Sequence, residues 1–175
     1  VLVTNRPIDL ATAEEMNKLF MEICIVPDYS KEALELLKSK KNRILLKRKE
    51  NSFPKNQFKS CLNGVLVQDK DTVIEKAEDM TSVTPTPLTD ELKKDLAFAN
   101  KLVKHTKSNA IVLAKNGQLI ASGTCQTSRV DALRQAIDKS KAFGFDLNGA
   151  VMASDAFFPF PDCVEIAHKA GIIAV

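Results

Sequence analysis

Residues 151–164 read VMASDAFFPFPDCV, a stretch that begins apolar and becomes rich in phenylalanine and proline at its centre. Its apolar beginning predicts a strand over residues 149–153. Pro159 and Pro161 then fix φ and lack a backbone N–H, so they hold the chain extended beyond the strand. Phenylalanines crowd the same stretch, and Asp162 stands where a helical pattern resumes. Because open α/β sheets bind ligands at the carboxyl ends of their strands, the stretch predicts either a ligand-binding loop or a strand-to-helix corner packed into the core.

The composition is that of an ordinary globular protein, with 175 residues, 45% hydrophobic, 27% charged, and a formal net charge of +3. So small a charge does not require nucleic acid as a partner, and no apolar run approaches the roughly 18 residues of a membrane span. Cys24, Cys61, Cys125 and Cys163 show no C-x-x-C spacing, which favours reduced thiols over disulfides or zinc. We therefore expect a cytoplasmic protein that binds no metal ion.

Strand and helix patterns alternate in the first part of the chain. Strands are predicted over residues 1–4, 23–26 and 43–47, and capped helices over 10–20 and 31–40. This alternation predicts parallel strands joined by crossover helices, that is, part of an α/β layered domain. Further strand is expected within residues 57–69.

A linker is predicted at residues 81–89, TSVTPTPLT, where two prolines and four threonines occur. It divides the chain into domains at residues 1–80 and 90–175. The second begins with a helix to about Thr106, followed by a hairpin turning at Asn116-Gly117 and a helix from Ser128-Arg129 to about Phe143. Residues 171–175 look like a buried strand. Since the chain also begins without methionine, we expect a fragment of a longer protein.

Several kinds of catalytic site lack their sequence signatures. There is no H-x-E with P-C-x-x-C, no phosphate loop and no G-x-G-x-x-G. Lys104-His105 is interpreted as a helix end, where cations favour the helix dipole, and not as an acid–base pair. At Ser128-Arg129 two interpretations stay open: donors for an anion at the helix N-terminus, or a serine N-cap beside a solvated arginine.

Four motifs carry a family resemblance: SNAIV at 108–112, KNG at 115–117, QTSRV at 126–130 and ASDAFFPFPD at 153–162. Together with NRPID at 5–9 and PDYSKEAL at 27–34, they make most of the chain resemble the AICAR transformylase domain of the bifunctional purine-biosynthesis enzyme, AICAR transformylase/IMP cyclohydrolase. The SDAFFPF stretch is the most specific of them. The chain is thus expected to be a central fragment of such a domain.

The resemblance implies a fold and a reaction. The fold would be α/β, three-layer α/β/α and cytidine-deaminase-like, with parts of two tandem subdomains in a homodimer. The reaction would be formyl transfer from 10-formyltetrahydrofolate to the 5-amino group of AICAR without a metal. Asn109 would be catalytic, and the AICAR contacts would be Glu22, Asn109 and Phe157. The folate contacts would be Arg129, Val130 and Asp162.

The sequence also departs from the family pattern. The family's proton-transferring Lys-His pair belongs to a motif that would precede Val1, and that role is not transferred to Lys104-His105. Residues 121–125, ASGTC, have fewer glycines than relatives tend to have. We therefore expect ligand-contacting residues without the catalytic pair. A non-catalytic folate- or nucleotide-binding module and a dimer-interface module remain as alternatives.

Overall fold

The structure is a computed structural model that describes residues 1–50 and 52–175. It separates the chain into two compact units, Val1–Lys70 and Asp71–Val175. The division precedes the boundary predicted near residue 80, because the start of the second unit binds a helix of that same unit. There Lys104 Nζ lies 2.9 Å from Asp71 Oδ1, and Asn100 donates to Glu75 at 2.8 Å. The assignment of each unit to a deaminase-like subdomain remains a prediction.

The first unit contains the predicted parallel sheet, with strands in the order β1-β2-β3. Asp9 and Ser30 cap its helices by accepting from the amides of Thr12 at 2.8 Å and Ala33 at 3.2 Å. The helices pack on each other, and both bury side chains against Cys24 and Val26 of the central strand. The elements are β1 (Leu2–Val3), α1 (Leu10–Asn17), β2 (Ile23–Val26), α2 (Lys31–Lys38) and β3 (Ile44–Lys47).

The strand expected within residues 57–69 is an antiparallel hairpin. β4 (Asn56–Cys61) pairs with β5 (Gly64–Asp69), and every residue of both strands is exposed. Leu62, at the turn, has a φ of 51°. The hairpin is a separate two-stranded sheet and adds no strand to the parallel one.

The second unit is a three-layer α/β/α structure around an antiparallel sheet in the order β7-β6-β8. Ile111 and Leu113 of the central strand pack in one cluster with α4 and α5. Val112 and Ala114 point the other way and pack with α3. The α/β fold class is therefore confirmed. The elements are α3 (Asp90–Lys104), β6 (Ile111–Lys115), β7 (Gln118–Gly123), α4 (Arg129–Ala142), β8 (Val151–Ser154) and α5 (Asp162–Lys169).

The elements that fall furthest short of their predicted lengths are the first helix and the final strand. The first helix ends at Asn17, before Phe20, which is 93% exposed. Residues 171–175 form only one parallel bridge, between Ala174 and Val151, with a hydrogen bond from Met152 N to Ala174 O at 2.9 Å. In both places the apolar residues continue beyond the regular element, so the apolar pattern predicted the element but overestimated its length.

The predicted tight turn of the β6–β7 hairpin is confirmed, and a buried aspartate holds it. Asn116 and Gly117 have φ values of 52° and 69°. Asp95 of α3, only 9% exposed, accepts from the amide of Asn116 at 2.8 Å and from that of Gly117 at 2.7 Å. The carboxylate thus satisfies two turn amides and ties helix α3 to the sheet.

Replacing Asp95 by alanine is expected to lower the free energy of unfolding of this unit by about 2–3 kcal/mol. Two turn amides would lose a charged acceptor in partly buried hydrogen bonds. The measurement is denaturant unfolding of the intact protein, followed by hydrogen exchange at β6 and β7. The control is Asp90→Ala in the first turn of the same helix, where the residue is exposed; an equal loss in both variants would contradict the role of Asp95.

None of the helices in the described residues is both long enough and apolar enough to cross a membrane.

Candidate active site

Three chain turns meet at one edge of the second unit's sheet. β6 runs antiparallel to both neighbours, and Ile111, at its start, pairs with Gly123 at the end of β7 and with Ser154 at the end of β8. The segment before β6, the turn into α4 and the loop after β8 therefore lie together. The sequence predicted either a ligand-binding loop or a packed strand-to-helix corner after the strand that is β8, and this loop reaches the same edge.

Asn109 lies just before β6, half-buried, with its side chain held by the turn into α4. Its Nδ2 donates to Gln126 O at 3.0 Å and to Thr127 O at 3.2 Å. Because both partners are carbonyl oxygens, the orientation of the amide follows from them. These hydrogen bonds use only the nitrogen, so among the described residues the oxygen Oδ1 stays available to accept from a ligand.

The start of α4 confirms one part of the interpretations made from the sequence, the serine N-cap. Ser128 is the N-cap and accepts from the amide of Asp131 at 3.1 Å, as predicted. Arg129 is not solvated, however. Its side chain is 22% exposed, and its Nη2 lies 3.6 Å from Asp155 Oδ1. The predicted folate contact is therefore a half-buried cation at the sheet edge.

Gly123, at the end of β7, and Cys125, in the turn before α4, both have unusual backbone surroundings or conformation. A Cβ on Gly123 would lie 1.8 Å from the carbonyl oxygen of Ala132, so β7 and α4 approach too closely there for any side chain. Cys125 has a φ of 57°, in the left-handed region. Gly123 is therefore required by the close approach of β7 and α4, whereas Cys125 adopts a backbone conformation that is uncommon for a residue other than glycine.

Asp155 was not among the site residues predicted from the sequence, where it occurs only within the ASDAFFPFPD motif. It is half-buried, accepts from the amide of Ala110 at 2.9 Å, and accepts a hydrogen bond from Ser108 Oγ. Burial alone would raise the pKa of Asp155, but the hydrogen bonds from Ser108 and Ala110 and the charge of Arg129 hold it below its ordinary value. The carboxylate is therefore ionised at neutral pH.

A pH dependence follows from this lowered pKa. The stabilisation from Asp155 is fully present above about pH 3.9, the ordinary aspartate value, and is lost as the pH falls through the lower folded-state pKa. We expect Asp155→Asn to destabilise the protein at pH 6 and the difference from wild type to shrink towards pH 2.5. Denaturant unfolding at both pH values measures it; a difference that grows on acidification would contradict the prediction.

The loop after β8, residues 155–161, contains three phenylalanines, of which one packs in the core and two are exposed. Phe158 packs against the core cluster of α4 and α5, as the corner interpretation expected. Phe157 and Phe160 are 80% and 68% exposed, so that interpretation is wrong for them. Asp162 begins α5, where it is exposed and accepts from the amide of Cys163 at 2.8 Å.

The starts of α4 and α5 lie near each other. Val130 and Phe158 both pack against the same buried cluster, which includes Cys163. Burial and the charge of Asp162 raise the pKa of the Cys163 thiol, while the charge of Arg129 opposes them. Because Val130 and Phe158 share this cluster, Asn109, Arg129 and Val130 lie at the same edge of the sheet as the loop after β8. That loop contains Phe157 and leads to Asp162.

Glu22 lies in the first unit and is described there by itself. It is exposed at the start of β2 and lines a cleft of about 540 Å³ together with Phe20 and the cations Lys40, Lys41 and Arg43. Arg43 donates to Asn17 Oδ1 at 3.0 Å and to Leu37 O at 3.2 Å, so this cation has a structural role within the first unit.

The part of the chain that the structure describes contains no disulfide and no cluster of metal-ligating side chains. All four cysteines are free, with Cys24 and Cys163 buried and Cys61 and Cys125 exposed. Across residues 1–50 and 52–175 there is no group of three or more His, Cys, Asp or Glu side chains that could hold a metal ion.

Fold and site together define an α/β protein that presents, at one sheet edge, a half-buried arginine, exposed aromatic rings and a carboxamide oxygen with no hydrogen-bond partner among the described residues. Comparison with known sequences agrees with this class: the model of the family described as AICARFT/IMPCHase bienzyme matches residues 1–139. The chain belongs to this family.

Its relatives are considerably longer. The chain is 67% identical over 175 residues to the bifunctional purine biosynthesis protein PurH of Bacteroides thetaiotaomicron, and 47% identical over 178 residues to PurH of Aquifex aeolicus. In both comparisons all of this chain is covered, and 34% of the relative. The chain thus spans about a third of the length of these proteins.

Proposed function

We propose that the intact protein transfers the formyl group of 10-formyltetrahydrofolate to the 5-amino group of AICAR in purine synthesis. In this reaction the amine nitrogen attacks the formyl carbon, the bond from that carbon to N10 breaks, one amine proton is lost and N10 gains a proton. The observation that carries the proposal is the side chain of Asn109, whose nitrogen donates to two carbonyl oxygens and whose oxygen accepts no hydrogen bond from the described residues.

Asn109 suits the reacting amine. A free Oδ1 accepts an N–H of the amino group, which orients the nitrogen lone pair towards the formyl carbon and favours loss of the proton. The hydrogen bonds to Gln126 and Thr127 fix this oxygen before the substrate binds. Asn109 is therefore the catalytic residue that this chain contributes.

The folate contacts are Arg129, Val130 and Asp162. The carboxylate of Asp162 is exposed and suits the donor-rich edge of a pterin, while half-buried Val130 offers an apolar surface beside it. Arg129 supplies a cation near the reacting groups. Phe157 covers AICAR and excludes water from the formyl group.

Lys104-His105 is not the proton-transfer pair. The side chain of Lys104 is 18% exposed, and its ammonium lies 2.9 Å from Asp71 Oδ1 and also donates to Val73 O. A lysine held in this way is not free to act on a substrate. The intact protein therefore needs other residues for proton transfer, whose absence would cost roughly 10²–10⁴-fold in rate.

The protein acts as a homodimer in the cytoplasm. Large exposed apolar side chains beside a site mark a surface that another molecule covers, and Phe157 and Phe160 are such side chains. The same exposure supports the alternative function, a dimer-interface or folate-binding module without catalysis. The two are separated by the effect of an Asn109 variant on turnover.

Glu22→Gln is expected to raise KM for AICAR about tenfold or more and to leave KM for the folate unchanged. Glu22 binds the ribose hydroxyls, and a hydrogen bond to a charged acceptor contributes about 1.5–3 kcal/mol. Steady-state kinetics of the intact protein, varying each substrate in turn, measures both constants. Glu14→Gln on exposed α1 is the control; equal changes in both variants would contradict the ribose contact.

A further inference from the structure

Asp155 connects two of the proposed site residues without being one of them. Its backbone amide donates to Ala110 O at 3.3 Å, which extends the β6–β8 pairing beyond Ser154. Its carboxylate accepts from the amide of Ala110 at 2.9 Å and from Ser108 Oγ. Asp155 therefore holds the chain on both sides of Asn109.

The same carboxylate faces the start of α4. Asp155 Oδ1 lies 3.6 Å from Arg129 Nη2, and the two side chains are 14% and 22% exposed. Arg129 Nε is buried and has no hydrogen-bond partner among the described residues. With few groups to compensate its charge, the guanidinium depends on Asp155 for its position, and removal of the carboxylate would leave a half-buried cation unpaired.

Asn109 is tied to the same turn from the other side. Its nitrogen binds Gln126 O and Thr127 O, immediately before the helix that begins with Arg129. The start of β6 and the start of α4 are thus joined twice, once through the carboxamide of Asn109 and once through the carboxylate of Asp155. These two links set where the free Oδ1 of Asn109 lies relative to the guanidinium of Arg129.

We propose that Asp155 is a positioning residue for formyl transfer, which fixes Asn109 and Arg129 relative to each other so that amine and folate meet in reacting geometry. This inference rests on the proposed function. It goes beyond it by giving a role to a residue that touches neither substrate. A displacement of about 1 Å between positioned groups can cost about 10²-fold in rate, so such a residue has a large effect through its neighbours.

The test is a double-mutant cycle in the intact protein. In Asp155→Asn the side-chain oxygen still accepts from Ala110, but the charge facing Arg129 is lost. We expect kcat/KM for 10-formyltetrahydrofolate to fall about tenfold. In Asp155→Asn/Arg129→Gln the loss should not exceed that of the worse single variant by more than about twofold, because both changes break one link.

The matched control is Asp138→Asn, which removes the same charge from an exposed position of α4. It should leave both kinetic constants unchanged. Fully additive losses in the cycle, or a loss of stability in Asp155→Asn with KM and kcat unaltered, would show a structural role only and would overturn the proposal. Should Asp155→Asn fail to fold, the cycle is repeated with Asp155→Glu, which keeps the charge and shifts its position.

A second readout separates failure of the positioning role from failure of the proposed function. Nitrogen-15 NMR of the Arg129 side chain reports its environment without any turnover. If the wild-type protein makes no tetrahydrofolate with AICAR, the proposed function fails, and with it the role in formyl transfer. An Arg129 Nε signal that is unchanged in Asp155→Asn would refute the positioning link whether or not the protein is active.

Discussion

Asn109→Ala is expected to lower kcat for formyl transfer by about 10²-fold in the intact protein. The substitution removes the free acceptor that orients the amine, and it also breaks the bonds to Gln126 O and Thr127 O that hold the turn into α4. Preorganised polar groups at a reacting centre contribute about this much. Because the group acts on the reacting nitrogen, kcat should change more than either KM.

The control for Asn109→Ala is Asn56→Ala, the same chemical change at an exposed residue of the β4–β5 hairpin. Its kinetic constants should match wild type. Unchanged formyl transfer in Asn109→Ala would remove the residue from catalysis and favour the dimer-interface alternative. Circular dichroism and gel filtration of both variants check that the loss of turnover is not loss of folding or assembly.

Gly123→Ala is expected to destabilise the second unit by an amount on the order of 3 kcal/mol, the upper end of what overpacking usually costs. The new Cβ would lie 1.8 Å from Ala132 O and 2.8 Å from its Cα, and both atoms belong to helix backbone. Neither can rotate away, so α4 must move as a body. Since Arg129 begins that helix, activity should fall together with stability.

The measurement is denaturant unfolding of the intact protein, with hydrogen exchange resolving the amides of β6, β7 and α4. Gly64→Ala provides the comparison, because its Cβ would meet only Cys61 O at 3.8 Å, an ordinary contact. A smaller loss in Gly123→Ala than in Gly64→Ala would contradict the close approach of β7 and α4.

Local signals in the sequence were sufficient for most of the fold. Asp9, Ser30 and Ser128 act as the N-caps that their positions predicted. The Asn116-Gly117 turn was predictable because positive φ values require such residues. Helix and strand ends were less predictable: Phe20 extends an apolar pattern, yet no neighbour covers it.

The site was predictable only in part, because its geometry depends on contacts distant in the chain. Asp155 binds Ser108, Ala110 and Arg129, and no local pattern indicates such partners. The sequence could have drawn attention to it only as an acidic residue directly after a strand. The residue roles taken from the family resemblance, including that of Glu22, stay predictions until kinetics test them.

The proposal that the protein is a formyltransferase is tested most directly by the formation of tetrahydrofolate. The intact protein is incubated with 10-formyltetrahydrofolate in the presence and in the absence of AICAR. We expect tetrahydrofolate to form at a rate that rises with AICAR concentration and saturates, with formylated AICAR produced in equal amount. No tetrahydrofolate, or the same rate without AICAR, would contradict formyl transfer and leave a folate-binding or interface module as the function.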